Sequence, residues 1–399
     1  MDIERFRSSP VGNLVPIFGT DGRSGEQFSH FGFAPHPLTV TPELSTETWN
    51  AIASASHAMG RLQQGSQLVP NPSLLRRPTL RREAQSTSAL EGTFAPLDEV
   101  LAADVIDDAN RSSALSEVMN FVGAAEQAFA WVNQGRRITV GLMCQLHRML
   151  VRGTSADTEE AGRVRQIQVA IGSRGGGVFD ARFVPMPNGP ALEAGVSDLL
   201  DWIAERHQDV NPIVAGGLAH YQFETLHPFN DGNGRLGRLL IVVQLAADGV
   251  LPEGLLSVSP WFERRRDQYQ ELLAEVSATG DWDAWLRFFA NGIEASAIDT
   301  AMRIESLLAA QADYQERIRV SGTTGVIRDI ADFLVGNPYV TVRILASATG
   351  KTYQATSNAV AKLVDLQILE EVPSRGPRIY RATEIARITT RPAEEERPR

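Results

Sequence analysis

The stretch HPFNDGNGRLGR, residues 227–238, decides how the middle of this chain folds. An apolar segment with helical periodicity, PIVAGGLAHYQFETL, precedes it, and a second one, LLIVVQLAA, follows it. Pro228 and the glycines between the two segments do not continue a helix, so they predict a turn. We therefore expect two helices, at 211–227 and 234–247, joined by a short glycine-rich connection.

The residue types in this turn are those that bind phosphate. Glycines let several N–H groups point at one spot at the start of the second helix, and such helix N-termini bind anions. Arg235 and Arg238 are three residues apart and share one side of that helix, and a guanidinium suits phosphate oxygens. Asp231 is a hard oxygen ligand of the kind that holds Mg²⁺ beside a polyphosphate. His227 carries an imidazole, the side chain that accepts a proton near pH 7.

Each of these features alone has an ordinary structural explanation. A histidine at a helix end is more often structural, an Asp-Gly-Asn-Gly run is usually a turn, and arginines three apart usually face solvent. Their combination within one short stretch favours a phosphate or nucleotide site. The spacing of His220, Glu224 and His227 does not match the HExxH pattern of zinc proteases, and no GxxxxGK[ST] loop precedes the second helix.

Composition indicates an ordinary globular protein. The chain has 399 residues, of which 43% are hydrophobic and 22% are charged, which predicts two or three domains. The formal net charge of -10 argues against a chain that coats nucleic acid over its whole surface, but it allows a local basic patch. Cys144 is the one cysteine, which excludes an internal disulfide and a cysteine metal cluster. With no hydrophobic export segment and no apolar stretch long enough to span a bilayer, we expect a cytoplasmic protein without membrane contact.

Four regions are expected along the chain. They are an N-terminal arm and helical region at 1–112, a helical core at 113–315, a winged helix-turn-helix at 323–389 and a disordered tail at 390–399. Residues 1–40 show little helical period and are expected to form an arm or an irregular cover. Residues 172–190 are expected to form a hairpin or an extended flap. Besides the two helices above, helical patterns are expected from near Thr41, from Pro78 to Glu91, and at 113–133, 138–152, 190–207, 261–277 and 282–315.

The C-terminal region combines three helical segments with a two-stranded wing. That order is the order of a winged helix-turn-helix. Residues 341–381 contain six Lys or Arg and three Asp or Glu, so this region is locally basic in an acidic chain. Two interpretations are open: a DNA-binding module, or a module for protein interaction, including homodimerisation.

The 227–238 turn and three other segments of the chain resemble those of a known family. HPFNDGNGRLGR is similar to the signature of the Fic (Fic/Doc) family, HPFx[D/E]GNGRxxR, with every specified position filled. RFVPMP at 182–187 resembles the flap of that family, and residues 259–289 resemble the helices that follow its core. TSALEG at 87–92 is similar to the family's inhibitory motif, [S/T]xxxE[G/N].

The resemblance implies a mainly α fold: a Fic-type helical core with a small β-hairpin flap, followed here by the winged helix-turn-helix. It implies transfer of AMP from ATP to a Ser, Thr or Tyr hydroxyl of a target protein, which includes the chain itself. His227 would be the general base and Asp231 the Mg²⁺ ligand. The implied nucleotide- and phosphate-binding residues are Asp231, Gly232, Asn233, Gly234, Arg235, Leu236, Gly237, Arg238 and Tyr269. The implied flap residues, which would hold the target segment by strand-like pairing, are Arg182, Phe183 and Val184.

The resemblance also implies inhibition by Glu91, with Thr87 as a weaker contributor. Glu91 would pair with Arg238 and so displace the γ-phosphate of ATP. One departure concerns the base: Gln270 follows Tyr269, where many family members carry adjacent tyrosines, so the nucleotide preference stays open. Removal of AMP, or transfer of UMP or another phosphate-linked group, is a related alternative. A DNA-binding regulator that only senses nucleotide is another, although such a sensor would not need His227.

Overall fold

A computed structural model of the chain describes residues 1–20, 25, 27–39, 41–67, 72–107, 110–172, 177–205, 210–251, 254–374 and 376–392. The chain forms two compact units. Unit 1 comprises Met1–Met59, Gly123–Pro252 and Trp261–Glu294, and unit 2 comprises Gly60–Val122, Glu253–Pro260 and Ala295–Arg399. Most of the predicted tail at 390–399 lies outside the described residues.

Over the residues that the structure describes, the protein is mostly helical and has two small antiparallel sheets. As far as Leu251, the elements are α1 (Ile3–Phe6), β1 (Gly12–Thr20), β2 (Gln27–Pro35), α2 (Thr46–Gln67), α3 (Pro72–Leu90), α4 (Leu97–Leu101), a 3₁₀ turn (Ala103–Val105), α5 (Ser113–Asn133), α6 (Val140–Val151), α7 (Pro190–Glu205), α8 (Pro212–Leu226) and α9 (Asn233–Ala247). Beyond it lie α10 (Ser259–Arg264), α11 (Arg266–Thr279), α12 (Trp282–Val320), α13 (Ile327–Leu334), β3 (Tyr339–Val340), α14 (Val342–Thr349), α15 (Tyr353–Asp365), β4 (Leu369–Val372), β5 (Ile379–Ala382) and α16 (Thr383–Thr390). Among the described residues, none of these helices combines the length and the apolar character needed to cross a membrane.

The helices of the central region follow the sequence pattern closely. The five expected at 113–133, 138–152, 190–207, 211–227 and 234–247 are present as α5 to α9, with ends that differ by at most two residues. The helix expected at 261–277 is instead two helices, because the backbone of Arg265 leaves the helical region (φ -120°, ψ 30°) between α10 and α11. The helix expected at 282–315 extends to Val320.

The expectation of an irregular cover over residues 1–40 was wrong. β1 and β2 form a regular hairpin there, with register from Gly12↔Pro35 to Thr20↔Gln27. Glycine and proline made this segment look like a loop, but its pairing is supported by tertiary packing. Phe33 on β2 is fully buried, and its ring lies 6.0 Å from that of Phe6 and 5.8 Å from that of Phe183. Burial against residues distant in the sequence therefore stabilises a strand that local propensity did not indicate.

The start points of α2 and α3 also differ from the expectation. α2 begins at Thr46 rather than near Thr41, and the side chain of Ser45 caps it by accepting the Thr48 N–H at 3.2 Å. α3 begins at Pro72, so Pro78 lies inside a helix and does not start one. Proline in a helix removes one hydrogen bond, but a buried face keeps α3 continuous across it. That face includes Leu75, Leu80 and Ala84.

The C-terminal part of unit 2 contains the expected order of elements. The helices α13, α14 and α15 are followed by β4 and β5, and the sheet order is β3-β5-β4, with both pairings antiparallel. α16 was not foreseen as a separate helix. The winged helix-turn-helix interpretation is compatible with this order and remains an interpretation.

Candidate active site

The turn between α8 and α9 begins at His227. This residue caps α8 in the left-handed conformation (φ 51°, ψ 62°), and its N–H donates to the carbonyl of Phe223 at 2.9 Å. Residues other than glycine rarely adopt this conformation. Pro228, the next residue, disfavours the helical conformation at His227 and so ends α8 there. The local sequence therefore fixes the direction in which the imidazole leaves the helix.

A backbone hydrogen bond sets the tautomer of His227. Its Nδ1 lies 3.2 Å from the carbonyl oxygen of Glu224, which can only accept, so Nδ1 carries the hydrogen. Nε2 is then the nitrogen with a lone pair, as a general base requires. The Glu224 carboxylate lies 4.0 Å from Nδ1, and both side chains are mostly buried. A carboxylate at this distance favours the imidazolium that forms when the base takes a proton.

A buried arginine that the sequence did not reveal holds this helix end. Arg165 has no exposed surface, and its Nε donates to the carbonyl of His227 at 2.8 Å. Its Nη1 donates to Ile167 at 2.9 Å, and its Nη2 donates to the carbonyls of Met186 and Leu226. Burial lowers the pKa of this guanidinium to about 10, so it stays charged at pH 7. Arg165 thus satisfies the last carbonyls of α8, which have no helical partners.

A buried histidine on α6 supports the other end of the turn. The His147 Nε2–H donates to the carbonyl of Asp231 at 2.9 Å, and its Nδ1 accepts the N–H of Gly162 at 2.9 Å. Its ring stacks on Phe229, with centroids 3.9 Å apart and planes 5° from parallel. Burial lowers the pKa of His147 to about 4, which agrees with the neutral ring that these two bonds require.

The start of α9 has the features of an anion site. Gly232 caps it in the left-handed conformation (φ 74°, ψ 6°), and the first helical bond runs from Leu236 N–H to the Gly232 carbonyl at 3.1 Å. The N–H groups before that bond have no carbonyl partner within the helix, and the helix dipole there attracts negative charge. Arg235 and Arg238 follow in the first two turns, and both are buried.

Three of the predicted phosphate-binding residues also have structural roles. The Asn233 side chain is bonded twice to the backbone of Phe229: its Oδ1 accepts the N–H at 2.8 Å and its Nδ2 donates to the carbonyl at 2.7 Å. The side-chain amide of Asn233 therefore closes the turn. The group of this residue that could contact a phosphate is its backbone N–H. Leu236 is fully buried in the core. A Cβ on Gly237 would clash with Glu224 Oε1, so this glycine lets α8 and α9 approach each other.

Asp231 is the residue through which the turn could hold a metal. Its side chain is 55% exposed, and its Oδ1 accepts the Gly232 N–H at 2.6 Å and lies 3.8 Å from Arg235 Nη2. Over the part of the chain that the structure describes, no group of three or more His, Cys, Asp or Glu could hold a metal ion. A single exposed carboxylate fits Mg²⁺ that arrives with a polyphosphate, and it does not fit a resident metal centre.

Tyr269, predicted to contact the base, packs in the interior. It is 4% exposed, its hydroxyl lies 2.7 Å from His220 Nε2, and its ring stacks on Phe262. Burial, with a contribution from Arg238, lowers the pKa of His220 to about 3, so this histidine is neutral. The structure thus gives Tyr269 a packing role, and its contact with a nucleotide base stays a prediction.

The predicted flap is not a regular hairpin in the described residues. Phe183 forms a single antiparallel bridge with Ile171, and residues 173–176 lie outside the description. The carbonyl of Val184 accepts the N–H of Phe33 on β2 at 2.9 Å, and both Phe183 and Val184 are buried. The exposed Arg182 donates to Gln270 and Glu271. Since much of its backbone is already bonded within the chain, pairing of this segment with a target stays a prediction.

The predicted inhibitory residues belong to unit 2. Thr87 is fully buried near the end of α3, whereas Glu91 is exposed and lies one residue beyond that helix. The Glu91 N–H donates to the carbonyl of Ser88 at 3.0 Å. The pairing of Glu91 with Arg238 stays a prediction.

Two family models match the chain. The Fic/DOC family N-terminal model matches residues 49–130, and the Fic/DOC family model matches residues 137–245, a range that contains the whole 227–238 turn. The chain contains a Fic/DOC family domain. The Fic range runs from just before α6 to α9, and therefore includes His147 and Arg165 as well as His227.

Known Fic proteins are similar over part of their length. Protein adenylyltransferase fic-1 of Caenorhabditis elegans is 32% identical over 160 residues, which are 40% of this chain and 28% of that protein. Protein adenylyltransferase Fic of Culex quinquefasciatus is 29% identical over 213 residues, 52% of this chain and 38% of that protein. The chain thus spans well under half the length of these relatives. A crystal structure of a Fic family protein from Desulfovibrio desulfuricans G20 shares the fold, with a TM-score of 0.55 and 22% identity over 86% of this chain and 98% of that one.

Proposed function

We propose that this Fic protein transfers AMP from ATP to a Ser, Thr or Tyr hydroxyl of a target protein. The observation that carries the proposal is the 3.2 Å contact between His227 Nδ1 and the Glu224 carbonyl. Because a carbonyl only accepts, this contact favours the tautomer with the hydrogen on Nδ1 and the lone pair on Nε2. His227 lies in the connection that leads into α9, and Arg235 and Arg238 lie in the first two helical turns of α9. The names of the similar proteins from worm and mosquito support the same reaction.

The reaction needs one bond formed and one broken at the α-phosphorus. The target hydroxyl oxygen attacks that phosphorus, and the bond to the β-phosphate breaks so that pyrophosphate leaves. The hydroxyl proton passes to Nε2 of His227. The N–H groups at the start of α9, with Arg235 and Arg238, bind the phosphate oxygens. Asp231 would hold Mg²⁺, which supplies positive charge against the phosphates when it is bound.

The first experiment compares wild type with His227→Ala. With Mg²⁺ and ATP labelled at the α-phosphate, wild type should label protein, whereas ATP labelled at the γ-phosphate should give no label. Loss of the base should lower the rate by about 10²–10⁴-fold, since that is the usual contribution of acid–base catalysis. ATP binding and the midpoint of thermal unfolding should stay near wild type.

Matched controls make this result specific. His57→Ala changes an exposed histidine on α2 and should leave transfer unchanged. Parallel reactions with UTP, GTP and CTP test the nucleotide preference, which the Tyr269-Gln270 pair leaves open. Near-normal transfer by His227→Ala would remove this residue from the role of base. Release of AMP from a pre-labelled target, without transfer from ATP, would instead assign the reverse reaction.

We further propose that Glu91 restrains this activity by occupying Arg238 and so excluding the productive pose of the γ-phosphate. The proposal rests on the TSALEG motif and on its position at the end of α3.

A further inference from the structure

The two lysines of this chain lie together in sequence and on one structural element. Among 399 residues, lysine occurs only at Lys351 and Lys362, and every other basic side chain except histidine is arginine. Lys351 lies in the turn before α15 and Lys362 lies on α15 itself. Both side chains are exposed, and neither forms an ion pair with any residue that the structure describes.

The surrounding sequence is free of acidic residues. Residues 341–364 contain no Asp or Glu, although these two types make up about one residue in eight of the whole chain. The next carboxylate is Asp365, at the last position of α15. Arg343 on α14 adds a third exposed cation to the same stretch. In a protein with a net charge of -10, this helix pair is therefore a local positive surface.

Packing within unit 2 fixes which side of α15 faces solvent. Its buried residues are Thr356, Ala359, Val360 and Leu363, spaced as one helical stripe. Gln354, Asn358 and Lys362 are exposed and lie four residues apart, so they share another side of the helix. Gln354 Nε2 donates to Asn358 Oδ1 at 3.0 Å. This side of the helix thus carries two amides and a cation, and its one carboxylate is Asp365 at the end of α15.

The connection between α14 and α15 is short and well defined. Gly350 ends α14 in the left-handed conformation (φ 65°), which favours glycine. The Thr352 side chain caps α15 by accepting the Ala355 N–H at 3.3 Å. Two helices joined by a turn of this length, with glycine in it, are typical of a helix-turn-helix. At about 1.5 Å per residue, α15 is about 20 Å long and fits a DNA major groove about 12 Å wide.

We propose that the exposed face of α15, together with Lys351, binds duplex DNA with the helix in the major groove. Lys351, Lys362 and Arg343 have the charge to contact phosphates, which supply most of the affinity. Gln354 and Asn358 carry amides, which pair with the major-groove edge of adenine. A protein partner fits less well, because lysine is depleted in the cores of protein interfaces.

The first test measures binding of the full chain to a fluorescently labelled 30-base-pair duplex, without ATP, between 50 and 200 mM salt. We expect binding that weakens steeply with salt, with a dissociation constant of about 10⁻⁴–10⁻⁶ M for an unselected sequence. Lys351→Gln and Lys362→Gln should each reduce the slope of log K against log salt by about 1. Arg137→Gln removes one exposed charge from unit 1 and should leave the slope unchanged.

A second test uses the scarcity of lysine. Limited acetylation with an amine-selective reagent, followed by mass spectrometry, reports on Lys351 and Lys362 without interference from other side-chain amines. DNA should slow acetylation of both lysines. No binding at 50 mM salt, or an equal effect of Arg137→Gln, would overturn the proposal. Protection that rises with protein concentration in the absence of DNA would assign this face to a second copy of the chain and would also overturn it.

Discussion

At the scale of single residues, two buried side chains hold the turn that presents His227. Arg165 is bonded to carbonyls at the end of α8, and His147 is bonded to the carbonyl of Asp231. Neither side chain has to contact a substrate to affect the reaction rate, because a small displacement of a catalytic group lowers that rate strongly. We regard both as positioning residues.

Replacement of Arg165 by methionine should destabilise the protein and impair transfer. The apolar side chain removes the guanidinium that donates to the buried carbonyls of Leu226 and His227. Each carbonyl left without a donor should lower the free energy of unfolding by about 1–3 kcal/mol. Urea unfolding measures this loss. Arg165→Lys keeps a cation but not the fork, so its stability should lie between that of wild type and Arg165→Met.

The same variants separate positioning from binding. For Arg165→Lys at a temperature where it stays folded, kcat for AMP transfer should fall, while KM for ATP changes little. Arg163→Met, an exposed position two residues earlier, is the control and should match wild type in both measurements. Wild-type kcat in a destabilised Arg165→Lys would show that this arginine supports the fold alone.

At the scale of elements, the β1–β2 hairpin matters because it supports the predicted flap. Phe33→Ala should lower the free energy of unfolding by about 3–5 kcal/mol, because it removes a fully buried ring. Hydrogen exchange should also speed up in the segment around Val184, whose carbonyl accepts the Phe33 N–H. Phe18→Ala, on the same hairpin but 77% exposed, should change stability by less than about 0.5 kcal/mol. Equal effects of the two substitutions would contradict the role given to this cluster.

The end of α3 carries the prediction about regulation. Because Glu91 is proposed to occupy Arg238, Glu91→Gly should raise AMP transfer, including self-modification, well above wild type. Thr87 substitutions should act more weakly. Adding Arg238→Ala to Glu91→Gly should erase the gain, since the released guanidinium would be absent. The measurement is incorporation of labelled AMP by wild type, the single variant and the double variant.

Glu91→Gln provides the matched control for this experiment. It removes the charge but leaves the backbone as it is beyond α3, where glycine would also add flexibility. If Glu91→Gln and Glu91→Gly are both activated, the carboxylate is the restraint. If wild type and both variants are equally active, the TSALEG segment does not regulate this protein.

At the scale of the whole molecule, buried neutral histidines make stability depend on pH. Burial lowers the pKa of His147 to about 4 and that of His220 to about 3, whereas an unfolded histidine titrates near 6.5. Between these values the unfolded chain binds more protons, so the free energy of unfolding rises with pH. Stability should therefore fall as pH drops below about 6.5, and each histidine should cost about 1–2 kcal/mol between pH 7.5 and 5.5.

Urea unfolding at pH 5.5, 6.5 and 7.5 measures this dependence. His147→Gln should have a smaller pH slope than wild type, whatever its stability at pH 7.5, because it removes one of the two groups. His57→Gln removes an exposed histidine and should keep the wild-type slope. An unchanged slope in His147→Gln would mean that this ring is not neutral in the folded protein.

Features that depend on residues close together in the chain could be predicted from the sequence. The 227–238 turn follows from Pro228 and the glycines, and α5 to α9 follow from apolar residues three and four apart. The candidate base, the candidate metal ligand and the two arginines were predicted for the same reason, since their spacing is itself the signal. The order of helices and strands in the C-terminal region was also readable from local patterns.

Features that depend on partners distant in the chain could not be predicted from the sequence. The partners of Arg165 lie up to 62 residues along the chain, and the Asp231 carbonyl bonded to His147 lies 84 residues away. The β1–β2 hairpin gains its strand character from burial of Phe33, and Tyr269 is taken into the core by contacts with His220 and Phe262. Each unit is assembled from three separated segments, so no local composition marks its boundaries. Spacing in sequence specifies which residues are neighbours on one element, whereas burial and satisfaction of buried polar groups specify which elements meet.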